Sequence, residues 1–84
     1  MADLSVIIPF GISKERSFIK DRLLQKIDFF KSDERLEFIF VEGFSSENFD
    51  TKTKIEQKGH IYLKDEKQNS FSQGACRNLG ALKA

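Results

Sequence analysis

Two continuous apolar runs stand out in the pattern of hydrophobic and polar positions along this chain of 84 residues. The first covers residues 4–8 (LSVII), and a β-branched run without alternation is typical of a strand buried on both faces of a parallel sheet. Pro9 cannot donate to a sheet ladder, so we expect pairing to stop there and the chain to turn at Gly11. The second run, residues 36–41, stops in the same way at Glu42-Gly43.

The segment between these runs, residues 14–31, predicts an amphipathic helix with Ser13 as its N-cap. Its apolar positions recur every three or four residues, which places them on one helical face that can cover a sheet. These positions are Ile19, Leu23, Ile27 and Phe30, and the stripe is widened by Phe18 and Leu24.

The second half of the chain repeats the alternation of helix and strand. Residues 48–57 predict a short helix anchored by Phe49 and Ile55 and ended by Gly59, and residues 60–64 predict a third, more polar strand at a sheet edge. A last helix is expected at residues 73–84, capped by Ser70 or Ser72. The order β-α-β-(α)-β-α predicts an α/β fold with three layers, Rossmann-like, around a small parallel sheet.

Size and composition limit the possible functions. Eighty-four residues allow one small domain, and a net charge of +1 gives no drive toward nucleic acid or an anionic membrane. A single cysteine fits a reducing cytoplasm, and no apolar stretch reaches the length of a membrane span. Because the pattern of the last helix reaches Ala84 without a stop signal, we expect the chain to be a piece of a longer protein.

Common catalytic signatures are absent from the sequence. It contains no Walker loop, no GxGxxG motif and no pair of cysteines, and its one histidine makes a histidine-based triad or a zinc site improbable. His60, at the start of the third strand, is expected to be structural, and Cys76 is expected to be a small buried apolar residue rather than a nucleophile.

The candidate site lies where the first two strands end, because the carboxyl ends of parallel strands meet at one edge of a sheet and ligands bind there in open α/β folds. Glu42 can accept hydrogen bonds from a ligand at this edge, and a solvated loop acid is the equally weighted alternative. Phe10 and Phe44 close the two strands and can stack on a base, although packing beneath the loops is the simpler interpretation.

The start of the last helix is the second informative place. Small residues there, Gly74, Ala75, Gly80 and Ala81, allow the helix to approach a sheet or a ligand closely. Arg77 and Asn78 supply donors near a positive helix N-terminus, which suits a phosphate or a nucleobase carbonyl. Ordinary solvent exposure of these two side chains is the alternative.

Three blocks of sequence together resemble the amino-terminal part of family-2 glycosyltransferases, which have a GT-A fold. They are residues 4–9 (LSVIIP), the second strand with its acidic, serine-containing turn, and residues 74–80 (GACRNLG). The family patterns are a "SVIIPxYN" strand, an "xxVVDDGSxD" strand and a "GxxxARNxG" helix start. The blocks occur in the family's order and span almost the whole chain. This chain differs in having Gly11-Ile12 for Tyr-Asn, Glu42-Gly43 for Asp-Asp, and Cys76 for Ala.

The resemblance implies a nucleotide-binding site. In the family the turn after the first strand lines the nucleoside pocket, the first acid after the second strand contacts uracil or ribose, and the helix start faces the base and the diphosphate. Carried over to this sequence, the implied nucleotide-binding residues are Pro9, Phe10, Gly11, Glu42, Phe44, Gln73, Gly74, Arg77 and Asn78.

The resemblance also implies a reaction and a divalent cation. Family members transfer a sugar from a nucleotide donor, here expected to be UDP-linked, to a saccharide or lipid-linked acceptor, as in bacterial surface polysaccharide or glycolipid synthesis. An Asp-x-Asp motif on a further strand holds Mn²⁺ or Mg²⁺, and a later segment supplies a base. This chain has no Asp-x-Asp. We therefore expect residues 1–84 to be one partial domain that binds no metal and is inactive alone, within a cytoplasmic parent whose membrane association is left open.

A second interpretation is a non-catalytic α/β module that acts by association. In the family's strand order, third-second-first, the first strand lies at a sheet edge when its next neighbour is missing. This strand is the most apolar in the chain, and exposed apolar edges recruit partners. The prediction is a homo-oligomer formed through the first strand.

Overall fold

The computed structural model describes residues 3–13, 17–45, 50–67 and 72–84. Its six elements alternate between strand and helix, as the sequence predicts. In chain order they are β1 (Leu4–Phe10), α1 (Ser17–Phe29), β2 (Leu36–Glu42), α2 (Thr51–Gln57), β3 (Ile61–Lys64) and α3 (Gln73–Lys83).

The three strands form one parallel sheet in the order β1-β2-β3. Leu4 lies opposite Leu36, and Glu42 lies between Phe10 on one side and Lys64 on the other. The central strand is β2, whose residues from Phe38 onward are buried, whereas Phe10 is the one buried residue of β1. The expectation that the first run is buried on both faces is therefore wrong, because an edge strand is only partly covered by the helices.

Pairing of β1 does not stop at Pro9, which contradicts the sequence-based expectation. The strand continues to Phe10, and Pro9 lies opposite Val41 in the register. The N–H of Leu4 and the C=O of Phe10 both bond toward β2, so the even-numbered residues of β1 face β2. Pro9 has the opposite parity and faces away, and its missing N–H therefore costs no bond to β2.

Helices cover both faces of the sheet, which confirms the three-layer prediction. On one face Leu23 and Ile27 of α1 and Ile55 of α2 pack with Phe38 and Phe40. On the other face α3 packs against β2, and its apolar cluster consists of Ile39, Val41 and Cys76, with Ile7, Leu63 and Leu79 at its margin.

The C-terminal end of α1 comes earlier than predicted. The helix ends at Phe29. The N–H of Phe30 still donates to the C=O of Lys26, and the ring of Phe30 stacks on Phe38 with centroids 4.5 Å apart and planes 8° from parallel. Phe18 does not widen the buried stripe, since its side chain is 52% exposed. The predicted start of this helix, residues 14–16, lies outside the described residues.

Local capping sets the ends of the other two helices. Asp50 accepts a hydrogen bond from the N–H of Thr53 at the start of α2, and Gly59 follows the helix with φ +81°, a conformation that favours glycine. Ser72 caps α3 by accepting from the N–H of Ala75, as one of the two predicted caps. The other, Ser70, and the predicted anchor Phe49 lie outside the described residues.

Candidate functional site

The carboxyl ends of the three strands are tied together by backbone hydrogen bonds. The N–H of Gly43 donates to the C=O of Phe10 at 2.9 Å, and the N–H of Asp65 donates to the C=O of Glu42 at 2.8 Å. The ends of β1 and β2 therefore lie side by side, as predicted. We call this edge, formed by residues 9–12, 42–45 and 64–65, the strand-end rim.

The carboxylate of Glu42 accepts hydrogen bonds from three side chains that the structure describes. Its Oε1 accepts from the hydroxyls of Tyr62 at 2.6 Å and Thr51 at 3.1 Å, and its Oε2 accepts from the hydroxyl of Ser45 at 2.6 Å. Glu42 is only 7% exposed. It is therefore not a solvated loop acid, because a buried charge needs such partners to be tolerated.

Lys64 supplies the cation that accompanies this buried carboxylate. Its Nζ donates to the C=O of Gly43 at 3.0 Å and lies 3.9 Å from Oε2 of Glu42. The pKa of Tyr62 is raised above its usual range, first by burial of the phenol, then by its hydrogen bond to Glu42 and by the negative charge of that group. Tyr62 is therefore a neutral donor throughout the physiological range.

Ser45 connects the segments that follow β1 and β2. Its Oγ accepts a 2.9 Å hydrogen bond from the N–H of Ile12 and donates to Glu42. Ile12 itself is buried in the apolar cluster beneath α1 and α2. The loop after β1 is thus fixed both by an apolar anchor and by a hydroxyl of the neighbouring loop.

The two aromatic side chains of the rim have different environments. Phe10 is buried in the cluster with α1 and α2, which favours the packing interpretation for this residue. Phe44 is 41% exposed and offers an accessible ring. Pro9 and Gly11 are half-buried beside Phe10.

The predicted residues of the last helix lie on its exposed side. Gln73, Gly74, Arg77 and Asn78 are all exposed, and a Cβ on Gly74 would meet open space. The buried side of α3 contacts the sheet through Cys76, in the cluster with Val41, and through Gly80, against Ile7. Val41 immediately precedes the end of β2, so the first turns of α3 lie toward the carboxyl ends of the strands.

His60 and Cys76 have the structural environments predicted for them. Nε2 of His60 lies 3.0 Å from the C=O of Ile27, which can only accept, so Nε2 carries the proton and Nδ1 accepts from the hydroxyl of Ser32 at 2.7 Å. Cys76 is fully buried against β2. Both ring nitrogens of His60 are therefore engaged within the chain.

The described part of the chain contains no cluster of three histidine, cysteine, aspartate or glutamate side chains that could hold a metal ion. A separate finding for the same ranges is that no helix is long and apolar enough to cross a membrane.

Sequence reasoning missed four members of the Glu42 network: Ser45, Thr51, Tyr62 and Lys64. The signal available for Lys64 is positional, since a third parallel strand ending in a cation brings it opposite the acid that ends the second. The three hydroxyl donors lie 3, 9 and 20 residues from Glu42 and form no local motif.

The chain is an α/β domain with parallel strands joined by helices, and its polar groups collect at the carboxyl ends of the strands. Open α/β sheets bind their ligands at this edge. Comparison with protein families gives a match to the model described as glycosyltransferase-like family 2, which covers residues 5–84. The chain belongs to this family. Comparisons with curated proteins and with solved structures gave no significant match.

Proposed function

We propose that this chain is the nucleotide-sugar-binding portion of a glycosyltransferase that transfers a sugar from a UDP-linked donor to a saccharide or lipid-linked acceptor. The 84 residues themselves are proposed to be inactive. The observation that carries the proposal is family membership over residues 5–84, together with a polar strand-end rim of the kind that binds ligands in parallel α/β folds.

The proposed nucleoside site is this rim with the first turns of α3. Phe44 offers its exposed ring for stacking on the base, and the backbone of Pro9, Phe10 and Gly11 lines the pocket. Glu42 is buried between these segments, at the end of β2.

On the side of α3, the proposed contacts are Gln73, Gly74, Arg77 and Asn78. These residues are exposed near the helix N-terminus, where partial positive charge favours a diphosphate, and Arg77 adds a full positive charge. We propose that the Mn²⁺ or Mg²⁺ ion expected to shield the diphosphate in the parent enzyme is held by residues other than those described.

The test is a titration of the isotope-labelled chain with UDP, with and without Mn²⁺, followed by backbone amide shifts. We expect saturable shifts clustered at Phe10, residues 42–44 and residues 73–78. Phe44→Ala should weaken binding, whereas the matched variant Phe29→Ala, which removes a ring that is 79% exposed on α1, should not. Amides that stay unmoved at millimolar UDP would overturn the proposal for this chain.

A second candidate function, self-association through β1, is favoured by a specific observation. Among the described strands β1 pairs with β2 alone, and its outward-facing backbone belongs to Ser5, Ile7 and Pro9. Because Pro9 has no N–H, the backbone N–H groups that β1 can offer to an added strand are those of Ser5 and Ile7. The proposed partner is a second copy of this chain, paired through β1.

Sedimentation of the wild type and of Ser5→Pro tests this candidate. The substitution removes an outward N–H that β2 does not use, so the fold should persist while the dimer is lost. A wild-type monomer at high concentration would contradict self-association.

A further inference from the structure

The carboxylate of Glu42 has little acceptor capacity left for a ligand. An ionised carboxylate offers about four acceptor positions, and the hydroxyls of Tyr62, Thr51 and Ser45 occupy three of them. The ammonium group of Lys64 lies on the side of Oε2, 3.9 Å away. With the side chain only 9% exposed, a ligand N–H would have to displace one of these donors.

The same contacts join four separate segments of the chain. Tyr62 comes from β3, Thr51 from the first residue of α2, and Ser45 from the loop after β2. Through Ser45 the network reaches the N–H of Ile12, in the segment after β1. One buried carboxylate therefore fixes the relative positions of the segments that form the rim.

We propose that Glu42 acts as a positioning residue, with Ser45 and Tyr62 as its partners, and does not contact the nucleotide through its carboxylate. The network holds the segments after β1 and β2 in the geometry that receives the ligand. This inference rests on the proposed nucleotide-binding function, and it adds Ser45 and Tyr62 to the residues on which that function depends.

The network explains how Glu42, which is one methylene longer than the Asp of the family pattern, can end β2 without its carboxylate facing the ligand. Each of the three donors is an uncharged hydroxyl, and the Nζ of Lys64 lies 3.9 Å from Oε2 of Glu42. The hydroxyl of Ser45 has no proton left to donate to a ligand while it donates to Glu42, and one of its two acceptor positions is used by the N–H of Ile12. Phe44, which follows the rim glycine and is 41% exposed, is the accessible aromatic residue of this loop.

The experiment compares Ser45→Ala, Ser45→Thr, Tyr62→Phe and Glu42→Gln. Two quantities are measured for each variant: hydrogen exchange of the Ile12 amide without ligand, and UDP affinity. Ser45→Ala should speed Ile12 exchange and weaken UDP binding by about tenfold each, the loss expected for a hydrogen bond in a charged network. Ser45→Thr, which keeps the hydroxyl, should restore both, and Tyr62→Phe should weaken UDP binding in the same direction.

Direct ligand contact by Glu42 gives a different pattern and would overturn the proposal: Glu42→Gln weakens UDP binding while Ser45→Ala and Tyr62→Phe leave it unchanged. An unchanged rate of hydrogen exchange at the Ile12 amide in Ser45→Ala would also overturn the proposal, whatever the UDP affinity of that variant. Absence of UDP binding in the wild type would instead overturn the proposed function, and the exchange measurement separates that result from failure of the positioning network. If Glu42→Gln fails to fold, Ser45→Ala and Tyr62→Phe still test the proposal, because both should weaken UDP binding.

Discussion

Gly80 of α3 lies directly against Ile7 of β1. A Cβ on Gly80 would be 2.6 Å from Cγ2 of Ile7 and 3.1 Å from its Cγ1, closer than atoms can approach without rearrangement. The missing side chain is therefore what lets the helix reach the edge strand. Ile7 belongs to the margin of the cluster on this face of the sheet.

Gly80→Ala should destabilise the fold for this reason. The gain in helix propensity is about 1 kcal/mol, and forcing a methyl group into a packed interface costs about 1–3 kcal/mol. Denaturant unfolding measures the balance. Gly74→Ala is the matched control in the same helix, where a Cβ meets open space, and it should be neutral or stabilising. In an Ile7→Ala background, the cost of Gly80→Ala should shrink, and an unchanged cost would contradict the contact.

Ser32 should be important for stability although it lies in a connection. Its hydroxyl accepts from the N–H of Phe38 at 3.0 Å and donates to His60, whose other nitrogen bonds the last turn of α1. Ser32→Ala leaves both partners unsatisfied and should cost about 1–3 kcal/mol for each buried group. Ser72→Ala, which removes an exposed cap, should cost only about 1 kcal/mol.

Nitrogen chemical shifts of the single histidine provide an independent readout of the same contacts. They should report the tautomer with the proton on Nε2 in the wild type. Faster exchange of the Phe38 amide is expected in Ser32→Ala, and unchanged exchange there would contradict the assigned network.

Asp33 and Asp50 should make the fold sensitive to acid. The pKa of Asp33 is lowered by hydrogen bonds from the N–H groups of Arg35 and Leu36, and the pKa of Asp50 is lowered by hydrogen bonds from Thr53. Because the folded-state pKa values are lower than the unfolded ones, this stabilisation is present above the ordinary aspartate pKa of about 3.9 and is lost as the pH falls below it. Asp33→Asn and Asp50→Asn should flatten the acid side of the profile of unfolding free energy against pH, and a profile that neither variant changes would contradict these contacts.

The alternation of elements and the packing face of α1 were predictable because they depend on local periodicity. Leu23 and Ile27 recur at helical spacing and are buried, and Gly59 and Ser72 carry turn and cap signals that the structure bears out. The failure at Pro9 has a different origin. Whether a proline interrupts a ladder depends on which side its nitrogen faces, and that parity is set by the partner strand rather than by the local sequence.

The environment of Glu42 shows where sequence reasoning stops. Its position at the end of β2 follows from the apolar run before it. Its carboxylate can be buried because three hydroxyl groups donate hydrogen bonds to it, and these hydroxyls come from separate segments of the chain. Tyr62 is 20 residues away and meets Glu42 only because β3 pairs with β2. Side-chain networks of this kind become visible only with the register of the sheet.

Tyr62 should titrate abnormally, and the chain is well suited to show it. It is the single tyrosine in a sequence without tryptophan, so the absorbance of the phenolate reports on this residue alone. Burial and the adjacent Glu42 raise its pKa above the ordinary value of about 10. In the folded chain the phenol should therefore remain protonated beyond that pH, whereas in denaturant it should titrate near 10.

The raised pKa of Tyr62 also predicts a loss of stability in alkali. Below about pH 10 the phenol is neutral in both states, and the stabilising contact with Glu42 is fully present. Above that pH the unfolded chain loses its proton first, so the free energy of unfolding falls as the pH rises toward the folded-state pKa. Tyr62→Phe should be less stable than the wild type at neutral pH because it lacks the 2.6 Å hydrogen bond, and the difference should narrow in alkali. A folded-state phenol that titrates near its ordinary pKa, or a difference that does not change with pH, would contradict the assigned contact.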